Sequence, residues 1–127
     1  MRDKGMQSDL SRVRGLGSAK DGAHHWWMQR LTAIALIPLL IRFVASIVSL
    51  LGAGYTETKE WLASPFVAIA MILMVTVTLY HAALGVQVVI EDYIHNEGWK
   101  FFWLILEKLI FFVVAVVAIF SSLKLSL

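Results

Sequence analysis

His81 stands 15 residues into a stretch, Phe66 to Ile90, that runs for 25 residues without an Asp, Glu, Lys or Arg. An ionisable side chain in such surroundings is costly to keep and by default points to function. Two chemistries suit it. A neutral imidazole can hydrogen-bond to a neighbouring helix, or a ring nitrogen can serve as an axial ligand of haem iron. Gly85 follows four residues on and shares the His81 face of a helix. A glycine there lets a flat macrocycle lie against the backbone, or lets a second helix pack closely. Six-coordinate haem needs two ligands, and no second His lies at that depth, since His24, His25 and His95 all fall near one boundary. A haem held by His81 therefore takes its other ligand from another subunit.

Asp92 comes eleven residues after His81, which is ~16 Å along a helix and within about 20° of the same face; Tyr93 is turned about 120° away. A Tyr hydroxyl beside a carboxylate at a membrane surface can donate a hydrogen bond to a quinone carbonyl. The same pair also reads as an interfacial Tyr and a solvated Asp. Arg30 can grip a carboxylate, such as a haem propionate, in a forked contact, or it can snorkel to the headgroups. His24 and His25 belong to the same side. Arg42 follows Arg30 by twelve residues, or ~18 Å, and lies about 120° around the helix, so the two serve different contacts. Glu107 and Lys108 are adjacent and point in different directions, toward headgroups or a partner subunit. The sequence assigns no role to Arg42 or to this pair.

The elements that must position these residues follow from composition. The chain has 127 residues, 59% hydrophobic and 16% charged, with a mean hydropathy of +0.75. A soluble domain is roughly 45–50% apolar and about 25% charged. This composition excludes a soluble enzyme, a disordered chain and a disulfide scaffold. With no cysteine, disulfides, thiolate-held metals and self-contained iron–sulfur clusters are excluded as well. The expected fold is an all-α membrane protein of three transmembrane helices, because lipid-exposed backbone must satisfy its own hydrogen bonds. Continuous apolar runs without alternation exclude a barrel. The spacing predicts spans over about 26–52, 66–90 and 101–123, each near the ~20 residues that cross the hydrocarbon. They form a transmembrane domain over 26–127, preceded by a polar cytoplasmic segment over 1–25, in which residues 1–23 are expected to be a mostly irregular tail. Ser64-Pro65 suits the start of the second span, with Ser as cap and Pro in the first turn.

Six of the eleven Lys and Arg residues lie within residues 1–30, and the loops over 53–65 and 91–100 carry one Lys each. That bias places the N-terminus in the cytoplasm, with the 91–100 loop on the same side. No basic stripe continues beyond the tail, so nucleic acid is not expected as a partner. The tail has neither the apolar core of a signal peptide nor the acid-poor character of a mitochondrial presequence. The expectation is a bacterial inner membrane rather than a mitochondrial one.

The segment HAALGVQVVIEDYIH, His81 to His95, resembles the second transmembrane helix of the small hydrophobic membrane anchors of bacterial succinate dehydrogenase, respiratory complex II. That family shows His-Ala-x-x-Gly-x-x-Gln-Val-x-x-x-Asp-Tyr, matched by His81, Ala82, Gly85, Asp92 and Tyr93, with Gln87 one residue early. The stretch GAHHWWMQRLTAIAL, Gly22 to Leu36, resembles the family's entry into its first helix. The three-span plan and length agree.

The resemblance implies a membrane anchor of succinate:ubiquinone oxidoreductase that does not oxidise succinate by itself. It implies His81 as an axial ligand of haem b, with the second ligand from a sister anchor, the cytochrome b subunit, against which the helices pack. Tyr93 would hydrogen-bond ubiquinone, with Asp92 beside it. Arg30 and His24 would lie near the propionates and the quinone pocket, with His25 a second candidate for the His24 role. The implied partners are a flavoprotein subunit, an iron–sulfur subunit, the sister anchor and membrane lipid. The alternatives are an anchor of a quinol–fumarate reductase or another b-type membrane cytochrome, and a purely structural three-helix membrane protein.

Overall fold

The computed structural model describes residues 8–14 and 20–127. Among the described residues the chain is all helical: α1 Asp9–Val13, α2 Lys20–Ser49, α3 Tyr55–Ala63, α4 Pro65–Tyr93 and α5 Glu97–Ser126. Three of these, α2 from Gly22 onward, α4 and α5, are long and apolar enough to cross a membrane. At 1.5 Å per residue each is ~45 Å long, against a hydrocarbon thickness of about 30 Å. The helices therefore carry their polar ends past the apolar layer, and His24, Asp92 and Tyr93 remain helical.

The helix ends have local causes. α2 continues through Pro38, whose missing N–H removes one ladder bond. It stops at a turn closed by Ala53 N–H donating to the Leu50 carbonyl at 3.0 Å. Gly52 in that turn has φ +88°, a left-handed conformation that favours glycine. α3 opens with the Glu57 carboxylate accepting from the Gly54 N–H at 3.1 Å. α4 opens with Ser64 extended and Pro65 in the first turn, as the residue before a proline is turned away from helical geometry. α5 is capped by Asn96, whose side-chain oxygen accepts from Gly98 N–H at 3.0 Å and Trp99 N–H at 3.2 Å.

Two expectations are corrected. The 53–65 connection contains a helix, α3, with Trp61 and Leu62 half-buried. The signal was present as Glu57 three residues after Gly54, a pattern that ties down a first turn. The N-terminal segment is also less irregular than expected, since α1 lies within it and α2 begins six residues before Trp26. Residues 1–7 and 15–19, with Arg2, Asp3, Lys4, Gly5, Gly15 and Gly17, lie outside the described residues.

α4 is the central helix. It packs against α2 on one side and α5 on another, while α2 and α5 do not pack on each other; α3 lies against α4 and α5. Little is buried. Leu36, Val67, Leu84 and Ile90 form the apolar core, and no described side chain is fully enclosed. Large apolar residues from Trp26 to Leu125 face outward along every long helix. Such a surface is at ease in lipid or against another apolar chain and not in water.

Candidate functional site

The antiparallel pair α2 and α4 meets at His81. Its Nδ1 lies 2.9 Å from the Thr32 hydroxyl. That hydroxyl has one proton, and it stands 2.7 Å from the Met28 carbonyl of its own helix, with the Gln29 carbonyl at 3.1 Å. When the hydroxyl proton goes to Met28, Thr32 accepts from His81, the imidazole hydrogen sits on Nδ1 and the lone pair is on Nε2. An imidazole whose orientation and tautomer are set by a bond at one nitrogen is prepared to ligate a metal through the other. Thr32 is buried, at 7% exposure, so water does not compete for this bond.

Gly85, one turn on, faces α2 as well: a Cβ there would stand 3.8 Å from Gln29 Nε2. That is ordinary contact distance from the end of a flexible side chain, so an alanine also fits at this position.

The Thr32–His81 contact fixes the register of the two helices. Counting from it at 1.5 Å per residue, Arg30 lies ~3 Å, His24 ~12 Å and Asp92 ~16 Å toward the end of the bundle where α2 begins. These residues share one end but are not brought into contact. Asp92 and Tyr93 are exposed, Tyr93 at 78%. Arg30 lays its guanidinium over the Trp26 ring at 5.4 Å. Among the described residues none of Asp92, Tyr93 and Arg30 makes a side-chain hydrogen bond or ion pair. His24 is exposed, whereas His25 is half-buried with its Nε2 enclosed and unpartnered.

Arg42 lies ~15 Å from the Thr32 level in the other direction. It stands 4.7 Å over the Phe66 ring at the start of α4, beside an apolar groove of about 290 Å³ that Trp61 of α3 helps to line. Glu107 is the most buried charged residue described, at 6% exposure, and neither carboxylate oxygen has a partner. It lines a cleft of about 410 Å³ between α2 and α5, floored by α4.

The role of Thr32 and the burial of Glu107 escaped the sequence reading. Thr32 carried a weak signal, a hydroxyl inside an apolar span, where a Thr usually back-bonds to its own helix. Glu107 was visible as a charge, but only the packing reveals its burial.

No solved structure matches the chain. Curated relatives do. The chain is 34% identical over 113 residues to the succinate dehydrogenase hydrophobic membrane anchor subunit of Rickettsia conorii, covering 88% of this chain and 89% of the relative. It is 36% identical to the protein of the same name from Rickettsia bellii, over 69% and 70% of the two chains. It is 30% identical to that from Paracoccus denitrificans, over 69% and 68%. The succinate dehydrogenase/fumarate reductase transmembrane subunit family matches residues 4–118. A three-span helical chain with His81 held between its first two spans thus belongs to the succinate dehydrogenase/fumarate reductase transmembrane subunit family.

Proposed function

We propose that this chain is the hydrophobic membrane anchor of a succinate:quinone oxidoreductase in a bacterial inner membrane. In this reading it holds the soluble flavoprotein and iron–sulfur subunits at the cytoplasmic face, contributes one axial ligand of a haem b, and forms part of a quinone-reduction site. The N-terminus and the 91–100 loop are cytoplasmic. A sister anchor, the cytochrome b subunit, covers part of the apolar surface and supplies the second ligand.

The observation that carries the reading is the bond from His81 Nδ1 to Thr32. It leaves Nε2 as a base with a fixed direction, which is what an axial ligand needs. Haem b, when bound, supplies a one-electron carrier. The chain's own residues do the rest. Thr32 orients His81, and Gly85 one turn away faces Gln29 of α2. Arg30 and His24 lie toward the end carrying Asp92 and Tyr93, where they can bind propionate carboxylates. The Tyr93 hydroxyl is free to donate to a quinone carbonyl, and Asp92 beside it can orient that hydroxyl or exchange a proton with water. Since the chain lacks thiols, the electrons come from a partner subunit, and the protein supplies position and hydrogen bonds.

The test is a reduced-minus-oxidised absorbance spectrum of the assembly purified in mild detergent through this chain. The expected result is a sharp b-type spectrum with partner subunits present, lost in His81→Ala. A parent preparation that carries its partners but shows no such spectrum removes the haem assignment. A His81→Ala spectrum like the parent's moves the ligand to another residue.

A further inference from the structure

The cleft between α2 and α5 carries chemistry that the anchor role leaves unassigned. Its walls are His24 and His25 from α2, Tyr80 and Gln87 from α4, and Glu107 and Lys108 from α5. α3 contributes nothing to it. Glu107 is more than nine-tenths buried, and both of its oxygens are enclosed without a hydrogen-bond partner. Lys108 lines the same cleft but does not bond it. Gln87 donates its amide to Glu91 at 2.9 Å. An ionised carboxylate in that position would forgo water and every hydrogen-bond donor, with Lys108 in the same cleft but not bonded to it, which is costly in a protein interior. Two things relieve the cost, a proton on the carboxyl and water in the cleft. Both oxygens are closed to water in this conformation, so the second needs a side-chain shift into the cleft, whose volume of about 410 Å³ has room for several waters at roughly 30 Å³ each. The opposite wall carries another enclosed and unpartnered polar atom, His25 Nε2, and the exposed His24 stands next to it.

We propose that this cleft is a proton-exchange site, in which Glu107 carries a proton inside the span and exchanges it, through cleft water and the His24–His25 pair, with the end of the bundle where α2 begins. The step balances simply. The carboxyl O–H bond breaks, the proton passes to a cleft water and from there to a histidine nitrogen, and the carboxylate left behind is reloaded by the reverse path. The groups that set its charge state are those facing it: His24, His25, Tyr80 and Lys108. The exchange does not depend on haem at His81.

Infrared difference spectra of the intact purified assembly, parent minus Glu107→Gln, test it. At neutral pH we expect the C=O stretch of a protonated carboxylic acid in the parent alone, shifting when the sample is transferred to D₂O. The absence of that band means an ionised carboxylate, paired by a cation from another chain, and overturns the proposal. A band that keeps its frequency in D₂O means a trapped proton and overturns it too. Should Glu107→Gln fail to assemble, Ala83→Leu narrows the cleft from the α4 side and leaves Glu107 in place. We then expect the shift of the acid band in D₂O to be severalfold slower than in the parent, and an unchanged rate counts against exchange through the cleft.

Discussion

The two sides of α4 handle polar groups in opposite ways. Toward α2, His81 Nδ1 and the Thr32 hydroxyl bond to each other and the hydroxyl also reaches the Met28 carbonyl, although Gln29 Oε1 beside them is enclosed and unpartnered. Toward the cleft with α5, neither Glu107 oxygen has a hydrogen-bond partner, and Lys108 lines the cleft without bonding it. The difference follows from how closely the helices approach. α2 lies near enough to α4 for side chains of the two helices to bond, while α2 and α5 stand apart and leave a gap open to water, lipid or another chain. In lipid an interhelical hydrogen bond contributes on the order of 1 kcal/mol, and an unsatisfied buried polar group costs at least that. The first side is thus built for stability and fixed geometry, and the second tolerates a cost that function must justify.

The harshest way to break this contrast is to force the close side open. Gly85→Leu places a branched side chain where a Cβ alone already stands at ordinary contact, 3.8 Å, from Gln29 Nε2. Overpacking of this kind costs about 1–3 kcal/mol, and it also separates Thr32 from His81. We expect a large fall in the thermal unfolding midpoint in detergent and a weakened b-type spectrum, whereas Gly85→Ala stays near the parent. If Gly85→Leu unfolds like the parent, the close approach is not what holds the pair.

Thr32→Val removes the hydroxyl and keeps the shape. It leaves the His81 Nδ1–H buried beside a methyl group, a loss of about 1–3 kcal/mol, and frees the ring to rotate. We expect a lower unfolding midpoint and a broadened b-type band, both restored by Thr32→Ser. On the open side the sign reverses. Glu107→Leu removes two unsatisfied oxygens and adds apolar contact, so it should raise stability by about 1 kcal/mol. A destabilised Glu107→Leu would show that Glu107 has a partner in the assembly.

The all-α membrane fold was legible because its cause is crude. Long uncharged runs can satisfy their backbone in lipid only as helices, and the three spans emerge from that alone. The second helix start was legible from Ser64-Pro65, where local geometry leaves little choice. The helix ends were less so: α2, α4 and α5 extend into polar residues such as His24, Asp92 and Glu97, which the apolar count excludes but the hydrogen-bond ladder includes. α3 was missed because nine residues of mixed polarity give too little periodicity to outweigh their reading as a connection. At the site, His81 stood out by being ionisable in an apolar span, and the alternative of a bond to a neighbouring helix was open from the start. What could not be read was the partner. Thr32 lies 49 positions away from His81, and only the register of α2 against α4 selects it over other hydroxyls. The burial of Glu107 is likewise a property of three helices together.

Arg42 gives the smallest expected effect and sharpens the comparison at the far end of the same helix pair. There α2 and α4 meet again, through a guanidinium 4.7 Å over the Phe66 ring, beside the groove that Trp61 helps to line. Arg42 is exposed, so it keeps contact with its surroundings while its stem lies along apolar residues. A cation held over an aromatic face contributes about 0.5–1 kcal/mol at an exposed site. Arg42→Ala should therefore lower the unfolding midpoint slightly, and Phe66→Leu should lower it by a similar amount. The double variant should fall short of the sum, because each substitution removes the same contact. Strict additivity would mean that Arg42 and Phe66 act separately, and the α2–α4 pair would then be joined by polar chemistry at the His81 level alone. A coupling of the expected size would instead pin the two helices at the His81 level and again about 15 Å along the bundle, leaving the ring little freedom to shift along it.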